Sequence, residues 1–308
     1  MTDSDRRAWI LNLLGEQNFE RLTNSLSGSE LQSVLLEVMH ARAAARTPSQ
    51  VLGQYEKDAI CRPAAVDPRE ALTIDTELFA AAEEFEAIEL SPVAPLGACS
   101  TFALTDQNRV LAALRATEVV ADPTNVLALE CARRMRGGER SAVHLAASQR
   151  VVRAQPTPKL PGYAPHFRLF VLVSSGREQE DHALTVESLL LQMRTVLAAL
   201  DRLEGHGYAF GERRIEILAT GARAELGDRI ARGVAGNVER KALEHPYYTG
   251  GLRYTLWCRP PGSAAVPLAD GGAFDWLARL TSNRRAVYVA SGVGSQLIAL
   301  LFRAAALR

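Results

Sequence analysis

The pattern of apolar and polar positions divides the chain into a helical opening and a longer mixed body. In SGSELQSVLLEVMHARAAAR, Leu31, Val34, Leu35, Val38 and Met39 fall at i, i+3, i+4, i+7 and i+8, which puts them on one face of a helix. Ser27 and Glu30 stand ahead of them at capping-box spacing. Pro48 is expected to stop this helix near Arg46. The stretch 47–70 is polar and carries Pro48, Pro63 and Pro68, so it reads as an irregular connection. The expected division is a helical module over 1–70 and a body over 71–308.

The body mixes two periods. FEAIELSPVAP starts in alternation, with Phe85, Ile88 and Leu90 among acids. RLFVLVSS (168–175) is a continuous apolar run short enough for a buried strand. RRIEILAT (213–220), LRYTLWC (252–258) and RAVYVASG (285–292) are further strand candidates. Helical patterns occupy 123–136, 183–203, 226–243 and 294–307. Irregular loops, rather than one helix each, separate the strands. The expected class is α+β, a mostly antiparallel sheet flanked by helices.

Charge and cysteine usage narrow the function classes. Lys+Arg and Asp+Glu both total 35, so the net charge is zero and broad nucleic-acid binding has no support. Cys61, Cys99, Cys131 and Cys258 lie far apart with no C-x-x-C pair. That spacing argues against a zinc site or a disulfide framework and fits the reduced thiols of a cytoplasmic protein. The six histidines show no H-E-x-x-H spacing, so no metal site is expected. No run of 18 apolar residues is present, so no membrane span is expected. No G-x-S-x-G elbow supports a hydrolase.

Several short stretches carry candidate chemistry. HPYYTGGLRYTLW joins two tyrosines to a Gly-Gly pair. Tyrosine supplies a flat wall with a hydroxyl, and glycine lets backbone approach a ligand closely. VADPTNVLALECARR places Asp122 and Thr124 at the head of a helix, where both also suit an N-cap. VHLAASQRVVRAQ ends in Arg153-Ala154-Gln155. A Pro/Gly-rich loop then leads to HFRLF, with Arg168 and Phe170. FEAIELSPVAPLG, ADGGAFDWLARL and YVASGVGSQLIALL complete the set.

Taken in this order, the pieces from about residue 75 to 308 resemble the catalytic core of class II aminoacyl-tRNA synthetases. The nearest are histidyl-tRNA synthetase and its non-synthetase paralogue, the regulatory subunit of ATP phosphoribosyltransferase. The resemblance implies a homodimer through the segment around Pro92. It implies an amino-acid pocket lined by Asp122, Thr124, Gln155, Tyr247, Tyr248, Thr249 and Gly250. It also implies ATP with magnesium, held by Arg153 as the catalytic arginine, by Arg168, and by Phe170 stacked under the adenine. Activating a carboxylate at a phosphate builds up negative charge, which a planar guanidinium can grip at two oxygens.

The sequence departs from that family's pattern. The third motif's arginine falls at Gln296 or Leu297, and the second motif's glutamate is Gln155. The arginine that precedes the histidyl enzyme's tyrosines falls near Leu243. Losing one such cation costs about 3 to 4 kcal/mol of transition-state stabilisation. The chain stops at Arg308, so no anticodon-binding domain is expected and tRNA charging by the usual route is not. The expectation is a paralogue that binds an amino acid or related metabolite as a regulatory or accessory subunit. Two alternatives stand beside it: a free-standing ATP-dependent amino-acid-activating ligase, and a dimeric scaffold presenting the helical module to a protein partner.

Overall fold

The computed structural model of the chain describes residues 3–158 and 162–304. Residues 159–161 of the Pro/Gly-rich loop, and 305–307 of the helix expected at 294–307, lie outside the described residues. Four helices open the chain: α1 (Asp3–Leu14), α2 (Glu16–Glu20), α3 (Gly28–Ala44) and α4 (Pro48–Lys57). Ser27 and Glu30 form the capping box of α3, with Glu30 Oε2 accepting from the Ser27 amide at 2.8 Å. Helix α4 replaces the irregular connection expected there. Pro48 sits in its first turn, where no amide partner is needed, and Thr47 with Gln50 makes a second capping box. No described residue from 4 to 57 is buried, and the Val34, Leu35, Val38 and Met39 face of α3 lies open.

Helix α5 (Pro68–Ala81) follows, with Ile74 and Leu78 buried. The chain continues through β1 (Glu86–Ala87), β2 (Val93–Pro95), β3 (Ala112–Ala113), β4 (Thr117–Val119) and α6 (Pro123–Arg136). It then forms β5 (Val143–Val152), β6 (His166–Arg177), α7 (Ala183–Glu204), β7 (Arg213–Ala219), α8 (Ala224–Gly233) and β8 (Asn237–Ala242). The last elements are β9 (Leu252–Cys258), β10 (Val266–Phe274), α9 (Trp276–Thr281), β11 (Ala286–Val293) and α10 (Ser295–Leu301).

Eight strands form one sheet in the order β1-β5-β6-β11-β10-β9-β7-β8, and β2-β4-β3 form a small second sheet. Every pairing in the large sheet is antiparallel except β1 with β5 and β7 with β8. Helices α5 and α7 cover one face, packing on Phe170, Leu172, Ile215 and Tyr254. Helices α6 and α9 cover the other, where Leu127 and Trp276 meet Leu145, Val171 and Val173. Gln192 of α7 is fully buried and stitches its face to the sheet, donating to Ser174 Oγ at 2.9 Å and accepting from Ser291 Oγ at 2.6 Å. The segment Glu180–Glu204 is long and apolar enough to cross a membrane, but 67% of its apolar window is buried inside the fold.

The helix expected over 226–243 divides. Its first half is α8, and NVERKA becomes the exposed edge strand β8, paired in parallel with β7. FEAIELSPVAP gives only the two short strands β1 and β2, which belong to different sheets. Cys61 is exposed, whereas the other three cysteines are buried. Burial pushes the Cys99 and Cys258 thiols to about 12 and that of Cys131 to about 11.

Candidate functional site

The sheet face shared with α6 and α9 opens into a cavity of two lobes, 350 and 450 Å³, both lined by Asp122, Arg153, Tyr247, Tyr248, Arg253 and Asp270. Each wall follows from local structure. Asp122 is the N-cap of α6: its Oδ1 accepts from the Thr124 amide at 3.0 Å and from the Thr124 hydroxyl at 2.7 Å. Its Oδ2 remains toward the cavity, 3.4 Å from the Tyr247 hydroxyl and 3.8 Å from Arg153 Nη2. Arg153 leaves the end of β5, donates from Nε to Ala121 O at 3.0 Å, and lies 5.1 Å over the Phe167 ring.

The tyrosine segment enters against β10. Tyr248 donates to Asp270 Oδ2 at 2.5 Å, and Arg253 Nη2 reaches the same oxygen at 3.2 Å while its guanidinium stacks 4.9 Å over the Tyr248 ring. That close seat requires glycine at 272. A Cβ there would stand 2.5 Å from Tyr248 Cδ1 and 2.3 Å from the Leu252 carbonyl oxygen. Burial holds both tyrosine hydroxyls above their ordinary pKa, with Asp122 adding to the effect on Tyr247 and Asp270 on Tyr248. Both rings therefore stay neutral donors. Tyr247 also makes edge contacts with Phe274 and Trp276, at 5.5 and 5.7 Å between centroids.

The result is two carboxylates and two guanidiniums in alternation, Asp122 beside Arg153 and Asp270 beside Arg253. Such an arrangement can receive a molecule carrying both an ammonium and a carboxylate, each against a partner of opposite sign. Gln155 and Arg109 border the second lobe. Gln296 and Leu297, where the third-motif arginine was expected, border the first. Gln296 is buried, and its Oε1 has no partner among the described residues.

Four sequence-derived placements need correction. Phe170 is 1% exposed and packs edge-on against Phe79 at 5.1 Å, on the α5 and α7 face. Successive strand residues alternate sides, so Phe167, three positions earlier, is the aromatic ring of β6 that borders the cavity. Arg168 borders the first lobe, but its Nη1 is committed to Asp75 Oδ2 at 2.6 Å and Ser148 Oγ at 3.2 Å. Thr249 and Gly250 do not line either lobe. The Thr249 hydroxyl donates to Asp275 Oδ1 at 2.7 Å and accepts from the Asp275 amide at 2.9 Å, which pins the segment's end to the head of α9. Gly250 presses on Ala273.

Sequence reading passed over Phe167, Arg253, Asp270 and Glu118. The alternation in LRYTLW placed Arg253 on one side and Tyr254 on the other, and could have flagged the first. Glu118 is fully buried, and accepts from the amides of Gly97 and Cys99 at 2.8 and 3.0 Å and from Gln107 Nε2 at 2.8 Å. It fixes the loop that carries Arg109. For a magnesium-bound triphosphate the donor set is a poor fit on its cationic side: the wall at Gln296 and Leu297 is uncharged and Arg168 is engaged by Asp75.

No protein-family model matches this sequence, and no curated protein matches it in sequence. Solved structures are similar in fold. The apo histidyl-tRNA synthetase of S. aureus has a TM-score of 0.52 at 12% identity, over 75% of this chain and 64% of that one. An ATP phosphoribosyltransferase regulatory subunit/histidyl-tRNA synthetase from Bacillus halodurans has a TM-score of 0.55 at 12% identity, over 77% of this chain and 82% of that one. The RNA binding domain of threonyl-tRNA synthetase from Cryptosporidium parvum has a TM-score of 0.56 at 9% identity, over 75% of this chain and 63% of that one. This chain thus spans less than two thirds of the S. aureus enzyme matched. Proteins named for two different amino acids are alike in this comparison, so the likeness does not choose between them. It does establish the architecture: this chain has the fold of a class II aminoacyl-tRNA synthetase catalytic domain, with four helices ahead of it.

Proposed function

We propose that this chain binds an amino acid, or a closely related zwitterionic metabolite, and serves as a regulatory or accessory subunit rather than charging tRNA. The observation that carries this reading is the pairing of Asp122 with Arg153 and of Asp270 with Arg253 around one cavity, where Gln296 and Leu297 leave the place of the third-motif arginine uncharged. Asp122 and Asp270 would accept from the ligand ammonium, and Arg153 and Arg253 would hold its carboxylate. Tyr247 and Tyr248 would form the floor. Burying a charge is tolerable only against a partner, so a neutral or singly charged ligand would bind less well. Residues 71–308 would assemble as a homodimer near Pro92, and residues 1–70 would form a separate module open to a protein partner.

One observation favours a second reading, a free-standing amino-acid-activating ligase. Arg153 stacked on Phe167 could receive a purine and a phosphate. ATP–pyrophosphate exchange with each of the twenty amino acids separates the two, run beside thermal denaturation with the same set. We expect no exchange and at least one amino acid that raises the melting temperature. Exchange with any amino acid would overturn the regulatory reading in favour of the ligase. An amino-acid set that leaves the melting temperature unmoved would remove both.

A further inference from the structure

We propose that a second cavity, separated from the first by residues 247–250, binds a small anion: a compact metabolite bearing a phosphate or a pair of carboxylates. This site does not depend on what the first cavity holds. Its volume is 220 Å³, and it is lined by Arg223, Arg284, Arg285 and His182, with Glu178 and Asp275 as its acids. That volume is below the roughly 300 Å³ at which pockets for drug-sized ligands begin, which suits a compact metabolite.

Both acids are already engaged inside the fold. Glu178 accepts from the Thr185 hydroxyl and, at 3.3 Å, from the Thr185 amide, and it stands 3.3 Å from His182 Nδ1. Asp275 accepts from Thr249. The three guanidiniums form no ion pair with any described residue. Arg223 Nη1 lies 2.9 Å from His182 Nε2. A guanidinium only donates, so Nε2 accepts and the ring proton sits on Nδ1, toward Glu178. The row Glu178, His182, Arg223 thus fixes one edge of the Arg223 fork and leaves its other donors for the cavity.

The backbone supports this reading. Asp181 and His182 both adopt left-handed conformations, at φ 53 and 55. Aspartate and histidine adopt that conformation more readily than most residues that carry a side chain. Here it delivers the imidazole between Glu178 and Arg223. Arg285 Nη2 donates to the Glu178 carbonyl at 3.3 Å, so its fork is held at the same rim. Leu252, Phe274 and Val287 supply apolar walls for the ligand's body. Planar forks converging on one hollow suit phosphate and carboxylate oxygens.

Phe274 borders both cavities and stacks on Trp276 at 4.1 Å, so occupancy can be read from that indole. The test is calorimetric titration of the full chain with pyrophosphate and, separately, with citrate. The proteins are wild type, the double variant Arg284→Ala/Arg285→Ala, the single variant Arg284→Ala, and Arg153→Ala. Trp276 emission is followed in a Trp9→Phe/Trp257→Phe background. We expect one probe to bind, tenfold or more weaker in the double variant, measurably weaker in Arg284→Ala, within twofold of wild type in Arg153→Ala, and with a change in Trp276 emission. Binding of pyrophosphate alone would mark a phosphate ligand, and of citrate alone a carboxylate one. Arg284 is exposed, so its alanine variant tests the site even if the double variant unfolds. The inference is overturned if neither probe binds, if binding survives both arginine variants unchanged, or if it disappears in Arg153→Ala instead.

Discussion

Replacing Asp122 with asparagine separates two jobs that alanine would remove together. Asp122 caps α6 through two bonds to Thr124, at 3.0 and 2.7 Å, and turns its other oxygen to the cavity. Asparagine keeps a carbonyl oxygen and caps about as well as aspartate, so Asp122→Asn should change stability by less than about 0.5 kcal/mol. Alanine removes the cap and should cost about 1 kcal/mol, near 2 °C in melting temperature for a chain of this size. The charge is a different quantity. A hydrogen bond from a ligand ammonium to a carboxylate is worth about 1.5 to 3 kcal/mol, and about 1.4 kcal/mol is tenfold in affinity. Both variants should therefore bind the most stabilising amino acid roughly 10- to 150-fold more weakly. Thermal scans give the first number and isothermal titration the second. An asparagine variant that binds within twofold of wild type would reduce Asp122 to a helix cap and refute the assignment.

Other perturbations probe the frame of the site. Gly272→Ala should cost about 1 to 3 kcal/mol through overpacking against Tyr248 and Leu252, read as a shift in urea midpoint. Gly292→Ala, whose Cβ would meet nothing within 4 Å, is its control. Arg168→Met strands the buried Asp75 carboxylate and should cost about 3 to 5 kcal/mol at pH 8. Burial already holds the Asp75 carboxyl above its ordinary value, so the folded state binds its proton more readily than the unfolded one. Its contribution to stability is thus greatest at low pH and falls as pH rises from the ordinary carboxylate value through the raised one. The Arg168→Met deficit should accordingly shrink on acidification, and urea midpoints at pH 5 and 8 that show the same deficit would contradict this. Deleting residues 1–57 should leave the melting temperature of the rest within about 2 °C, since none of the described residues removed is buried. A fall beyond about 5 °C would show contacts that burial does not record.

The sequence was most legible where one period ran long and one face was buried. Helices α6 and α7, and strands β6, β7, β9 and β11, follow directly from such runs. It was misleading where tertiary pairing decides the outcome. NVERKA has a charged, exposed pattern that nothing local identifies as a strand, and only β7 beside it makes it one. Thr47 and Gln50 show how proline misdirects, because Pro48 opens a helix that its presence had argued against. Within the site, residue types were legible and sides were not. Phe170 and Phe167 differ by an odd number of positions along β6, so only the register of the whole strand says which ring reaches the cavity. Asp270 and Arg253 meet across two strands, at 3.2 Å, though 17 residues separate them in the chain. No spacing rule would have paired them.

The cysteine distribution makes this chain convenient for spectroscopy. Cys61 lies at the surface between α4 and α5, whereas Cys99, Cys131 and Cys258 are shielded; exposure alone sets Cys61 apart, since desolvation and Asp58 raise its thiol as well. A nitroxide or fluorophore applied to the native protein would therefore attach at one position, where the outlying helices join the sheet domain. Distances from that tag to a second, introduced in α3, would report whether those helices move when a candidate partner is added, with no prior removal of natural thiols.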